Sequence, residues 1–148
     1  MTIAVNLKTV ATSIAGFSIS GVTIKNVDNI PTSGAMICPV MFPNPNFVTG
    51  VKVDVLTVGG YPTAMIDMEY TLNYIYLHCE AGGLSQLEVI SPLLDKFADI
   101  VEAFAGNAIL GLVDVTFDSN QAPGIIRDPA GNEFWGMMFT VKVKDKIQ

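Results

Sequence analysis

The chain has 148 residues, of which 50% belong to the set Ala, Val, Ile, Leu, Met, Phe, Trp, Tyr and Cys and only 15% are charged, with a net charge of −6. That length fits one domain, residues 1–148, able to bury roughly 70% of its unfolded surface without disulfide or metal support. Eight Lys and Arg spread along the whole chain make no clustered basic face for nucleic acid, and the longest uncharged run, Asn29 to Val51, carries four prolines and is no membrane span.

In chain order, Thr2 can cap a first helix in which Ile3, Leu7, Val10, Ala11 and Ile14 recur at helical spacing, with Gly16 ending it. "VTIKNV", Val22 to Val27, alternates and is β-branched, so it reads as a strand broken at Asp28-Asn29-Ile30-Pro31. "AMICPVMF" reads as a short strand that Pro39 confines to a sheet edge or makes irregular. "PNPN", Pro43 to Asn46, reads as a loop, "FVTGVKVDVLTV" as a strand, and "GGYP", Gly59 to Pro62, as the turn of a hairpin.

From Ile66 onward Met68, Tyr70, Leu72, Tyr74 and Tyr76 fall on one face and Asp67, Glu69, Thr71 and Asn73 on the other, the period of a half-buried strand. A long helix follows, with Leu84, Leu87, Ile90, Leu94, Phe97, Val101 and Phe104 as its predicted inner stripe and Glu88, Asp95, Lys96, Asp99 and Glu102 outside. Pro92 falls inside that pattern. It predicts either a kink or a helix that starts at Pro92 with Ser91 as cap. "ILGLVDVTF" and the short "GIIR" are strands, and Asp128-Pro129-Ala130-Gly131 is a tight turn. The last strand, "EFWGMMFTVKVKD", turns Trp135, Met137, Phe139, Val141 and Val143 inward and Lys142 and Lys144 outward. The order predicts an α+β fold: a mostly antiparallel sheet, two helices packed on one of its faces, and an extended β-hairpin arm.

The residues that could carry chemistry are few. His78, the only histidine, and Cys79 stand next to each other at the end of a strand, where neighbours point to opposite faces unless a bulge intervenes, so they make no base and nucleophile pair. Cys38 and Cys79 are too few for a disulfide framework and read as buried thiols. One His and two Cys, two of the three adjacent in sequence, exclude the usual structural zinc motifs, and no glycine-rich phosphate loop occurs. Asp114, Asp118 and Asn120 match no calcium loop, and Asp67 with Glu69 reads as a solvated or subunit-facing strand surface. The expectation is no catalysis, no cofactor and no metal. The N-terminus lacks a basic region followed by an apolar core, so the protein is expected to be soluble and made in the cytoplasm. So little charge predicts a surface partly covered by other subunits, with a large core under a Ser/Thr/Asn-rich surface as the alternative.

Several stretches carry a resemblance. An N-terminal helix leads to a strand ending in "VDNIP"; a proline-spaced apolar segment, "CPVMFPNP", follows; then come a hairpin arm, "MEYTLNYIYLH", one long helix, and a closing "FWGMMFTVKVKD". In this order and texture, over nearly its whole length, the chain resembles the tail-terminator and tail-completion (head-to-tail joining) proteins of long-tailed bacteriophages. The resemblance implies a virion structural protein at the neck, a hexameric ring at the head-proximal end of the tail that ends tail-tube growth. Its implied partners are the tail-tube and head-connector proteins. DNA would pass through the ring without specific binding, which an acidic protein suits. Another neck or tail-tube protein is the neighbouring reading. A small-molecule-binding α+β domain lined by Tyr70, Tyr74, Tyr76 and Trp135 is the alternative from a different class.

The hairpin arm is where a subunit contact is expected. Phe42, Phe47, Val48, Val51, Val53, Val55 and Tyr61, together with Leu56, lie on it with only Lys52 and Asp54 charged, and so long a hairpin cannot pack wholly on its own core.

Overall fold

The structure, a computed structural model, describes residues 3–29, 37–57, 64–82, 86–106, 114–119, 124–127 and 131–147. Helix α1 spans Ile3–Ala15 and helix α2 Gln86–Gly106. The strands are β1 (Thr23–Ile24), β2 (Val40–Thr57), β3 (Ala64–Glu80), β4 (Asp114–Ser119), β5 (Gly124–Arg127) and β6 (Glu133–Ile147). They form one sheet in the order β1-β2-β3-β6-β4, with β5 also on β6, and every pairing is antiparallel except the two-residue β1–β2 contact. The fold is α+β.

β4 and β5 share one edge of β6. β5 pairs with Glu133 to Gly136 and β4 with Phe139 to Lys144, so the two lie end to end along the same strand. β2, β3 and β6 are long because their alternation is long. Met68, Tyr70, Leu72, Tyr74 and Tyr76 of β3 and Trp135, Met137, Phe139, Val141 and Val143 of β6 are all buried, as the period-two pattern predicts.

These residues form the main core with Val10 and Ile14 of α1 and Val89, Leu93, Ile100 and Phe104 of α2, so both helices cover the same face of the sheet. Phe139 stacks on Tyr74 at 5.5 Å and meets Phe104 edge-on at 5.9 Å, tying β3, β6 and α2 together. The opposite face carries a second, smaller cluster: Val40, Phe42, Ile75, Leu77, Ile126 and Phe134.

Four expectations are corrected. The β-branched stretch Val22 to Val27 gives only β1, because Val27 already opens a 3₁₀ turn to Asn29 and the Asn26 side chain accepts from the Val27 N–H at 2.7 Å. "PNPN" is not a loop: β2 runs through it, with a register shift between Pro43 and Val48 that lets an edge strand absorb two prolines. α2 does not start at Pro92. It begins at Gln86 and passes through Pro92, which is exposed, so the ring meets solvent and not the core. The inner stripe of α2 is also rotated from the predicted one. Val89, Leu93, Ile100 and Phe104 are buried, whereas Leu94 is exposed and Lys96 is half-buried, its ammonium bonded to the Ser20 carbonyl behind α1.

The predicted turns at Gly59 to Pro62 and Asp128 to Ala130, the cap at Thr2, Leu84 of the helix stripe, Asn120 and the strand residues before Asp114 lie outside the described residues.

Candidate subunit interface

β2 pairs with β3 along one side from Val40 to Thr57. On its other side, among the described residues, only Val40 and Met41 have a strand partner, β1. From Phe42 on, no strand among the described residues pairs with that side. β6 runs beside β3 as far as Ile66↔Ile147, so the hairpin is not a free two-stranded arm; its open side is the β2 edge alone.

Two irregularities shape that edge. Between Pro43 and Val48, β2 spends five steps against two on β3, and between Thr49 and Lys52 three against two. The first is held by Asn73, whose amide donates to the Asn46 carbonyl at 2.9 Å, the Phe47 carbonyl at 3.3 Å and Thr49 Oγ1 at 2.9 Å. Carbonyls displaced from the ladder thus find a side-chain donor. The second contains Gly50 at φ 61°, the left-handed region a bulge asks of glycine. From Lys52 to Thr57 the register with β3 is regular.

Of the arm residues singled out in the sequence, Phe42 is wholly buried in the second cluster, and Phe47 packs edge-on to Tyr74 at 5.4 Å. Val48, Val51, Val53 and Val55 are exposed, by 38 to 61%. Tyr61 lies outside the described residues. Val48, Val53 and Val55 pair with Leu72, Met68 and Ile66, so they share the face that carries the helices and extend its apolar surface to the edge.

The other face of this region is charged. Register aligns Lys52 with Glu69, Glu69 with Lys144, and Lys144 with Asp114, one row across β2, β3, β6 and β4. Lys144 Nζ lies 3.8 Å from Glu69 Oε1. Asn73 and this row went unread in the sequence as anything but polar strand positions. Only their cross-strand partners give them a role, and no single-strand pattern contains those.

At the far end of β3 the expectation that His78 and Cys79 point to opposite faces is overturned. A register shift lets Leu77 face Gly136 and Cys79 face Trp135, so His78 is an extra residue and both side chains turn to the helix side. His78 Nδ1 lies 2.8 Å from the Tyr76 hydroxyl. Burial and the nearby Lys96 ammonium hold the imidazole below its ordinary range. Burial pushes the Cys79 thiol up, and burial with Cys79 and Glu80 nearby pushes Cys38 up to about 11. At neutral pH both stay thiols, the opposite of what a nucleophilic cysteine requires. Tyr70, Tyr74, Tyr76 and Trp135 are all buried in the core under the helices.

No protein-family model matches the sequence, and no curated protein does.

Proposed function

We propose that this chain is a non-enzymatic structural subunit of a long-tailed bacteriophage. On this reading it forms a ring, a hexamer in the virion, at the head-proximal end of the tail, ends tail-tube growth and joins the tail to the head connector. The observation that carries the proposal is the open β2 edge with four exposed valines. Apolar strand edges left unpaired in a protomer are completed by another chain or become aggregation sites. With 15% charged residues, the chain also has little to keep such a surface solvated. The resemblance to tail-terminator proteins in element order supplies the place of the ring and its partners, the tail-tube and connector proteins. A net charge of −6 favours a channel that lets DNA through without holding it.

A reconstruction of the assembled particle tests the reading. Six copies in a ring between tail tube and connector are expected. Density for the chain in another layer would make it a neck or tube protein, and absence of the chain from virions would refute the proposal.

A further inference from the structure

The outer part of β2, from Val51 to Val55, is described throughout, and no described strand pairs with its free side. Its side chains divide by face. Lys52 and Asp54 align with Glu69 and Asp67 on the face away from the helices, and Val53 and Val55 align with Met68 and Ile66 on the helix face. All five residues are exposed, Val51, Val53 and Val55 by 41 to 61%. Among the described residues neither Lys52 nor Asp54 is in an ion pair. Asp54 also stands opposite Asp67, and like charges directly opposite are destabilising. Asp67 is aligned with Lys146 on its other side, whereas Asp54 has no described strand on its own.

A cation and an anion two residues apart, with one valine between them, let a strand pair with itself. Opposite side chains of an antiparallel pair share a face, so two copies with their helices on the same side are centred on a residue. Centred on Lys52 or on Asp54, like charges meet. A centre on Val51 sets Lys52 opposite Gly50, and a centre on Val55 sets Asp54 opposite Leu56, so each leaves a charge without its counterpart. Among centres in this stretch, only Val53 sets Lys52 of each copy against Asp54 of the other, with Val53 against its own counterpart and Val55 against Val51. The bulge at Gly50, φ 61°, ends the match beyond Val51, so five residues of each chain pair.

We infer that in the free chain the β2 edge pairs with the β2 edge of a second copy, antiparallel and two-fold about Val53, with Lys52 of each copy against Asp54 of the other. The inference goes beyond the ring reading, because a two-fold contact closes on two copies and builds no ring by itself. It covers, before assembly, an edge that otherwise templates aggregation, and it carries Val53 and Val55 from that edge into a continuous sheet. A lysine on an edge strand ordinarily discourages pairing. Here Asp54 makes the exception for one register of one partner, and other edges are refused. The contact is short, so the dimer is expected to dissociate on dilution.

The test is sedimentation velocity of the parent chain, Lys52→Glu, Asp54→Lys and the double variant, from dilute solution up to the solubility limit. The parent is expected to pass from monomer to dimer with concentration. Each single variant puts two like pairs into the two-fold contact and should weaken dimerisation about tenfold. The double variant, which exchanges the two charges, should restore it. An equimolar mixture of the two single variants should also dimerise as the parent does, since each supplies the charge that the other lacks. Parent-like melting of each variant in dilute solution shows that these exposed substitutions leave the fold intact. A parent that stays monomeric throughout would overturn the inference, as would single variants that dimerise as well as the parent, or a mixture and a double variant that do not recover. Parent hexamers in place of dimers would overturn it and favour the ring reading. Parent dimers from a chain that forms no ring in the particle would support the inference and sink that reading.

Discussion

Gly136→Ala is the sharpest probe of how the sheet is built. Gly136 lies on β6 between two close neighbours: it faces Leu77 of β3 on one side and Gly124 of β5 on the other, at the point where His78 bulges out of register. A Cβ at this position would overlap the carbonyl oxygen of Tyr76, with Ile126 Cδ1 and the Tyr76 carbonyl carbon both at 3.1 Å. The obstructing atoms are strand backbone and cannot rotate away as the end of a long side chain could. Relief requires β3 to move from β6 beside the buried Tyr76 and Trp135. Overpacking that forces a backbone shift costs about 1 to 3 kcal/mol, and the backbone contact puts this case at the upper end, about 3 kcal/mol. For a chain of this size that is a fall of about 6 to 12 °C in melting temperature. The assay is urea or thermal unfolding followed by Trp135 fluorescence, with Gly82→Ala as control, since nothing lies within 4 Å of a Cβ there. A Gly136→Ala protein melting within 2 °C of the parent would refute the close approach of β3 and β6 at the bulge.

Three more outcomes are expected. Phe139→Ala should cost about 3 to 5 kcal/mol in urea unfolding, because it removes a fully buried ring that touches both Tyr74 and Phe104; less than about 1 kcal/mol would mean that the core does not converge there. His78 binds its proton less readily folded than unfolded, so its contribution to stability is complete above its ordinary pKa of 6.5 and is lost as pH falls below that value toward the depressed folded one. Melting temperatures from about pH 8 down to 5 should fall less steeply in His78→Gln than in the parent, and parallel slopes would refute the shift. Val55→Thr should leave protomer stability within about 0.5 kcal/mol by the same unfolding assay, since Val55 is 61% exposed.

Much of the fold is legible in single strands because their two faces differ. In β6, Trp135, Met137, Phe139, Val141 and Val143 are buried and Lys142 and Lys144 are exposed, and a one-residue slip would turn the first set to the other face. α2 was harder to read. It carries two apolar rows, Val89, Leu93, Ile100, Phe104 and Ile90, Leu94, Phe97, Val101, each compatible with a 3.6-residue period. The first row is the one buried against the sheet, and Lys96, whose ammonium reaches the Ser20 carbonyl, lies half-buried on the rotated helix. Propensity misled at both ends of the scale. Val22 to Val27 is rich in β-branched residues yet pairs over two of them, because β1 meets β2 only at Val40 and Met41. Pro43 and Pro45 argue for a loop yet sit in an edge strand, where a missing N–H breaks no ladder on the open side.

The two bulges that matter most for the surface were out of reach of pattern reading for the same reason. A bulge is a mismatch between two strands, and a sequence shows one strand at a time. Around Asn73 the mismatch is compensated on the neighbouring strand: its amide collects the carbonyls of Asn46 and Phe47, so the residue that stabilises the edge of β2 is written into β3. Around His78 the compensation is Gly136 on β6, which leaves room for Leu77 and Tyr76 to come close. The valines of β2 were legible as an apolar set, but their exposure follows from geometry. Helices α1 and α2 contribute to the core from Val10 to Ile14 and from Val89 to Phe104, while Val53 and Val55 continue the same sheet face past Met68 and Ile66 to an edge where they stay exposed. The same alternation that builds the core therefore continues beyond it, and the part left over is the part available to another chain.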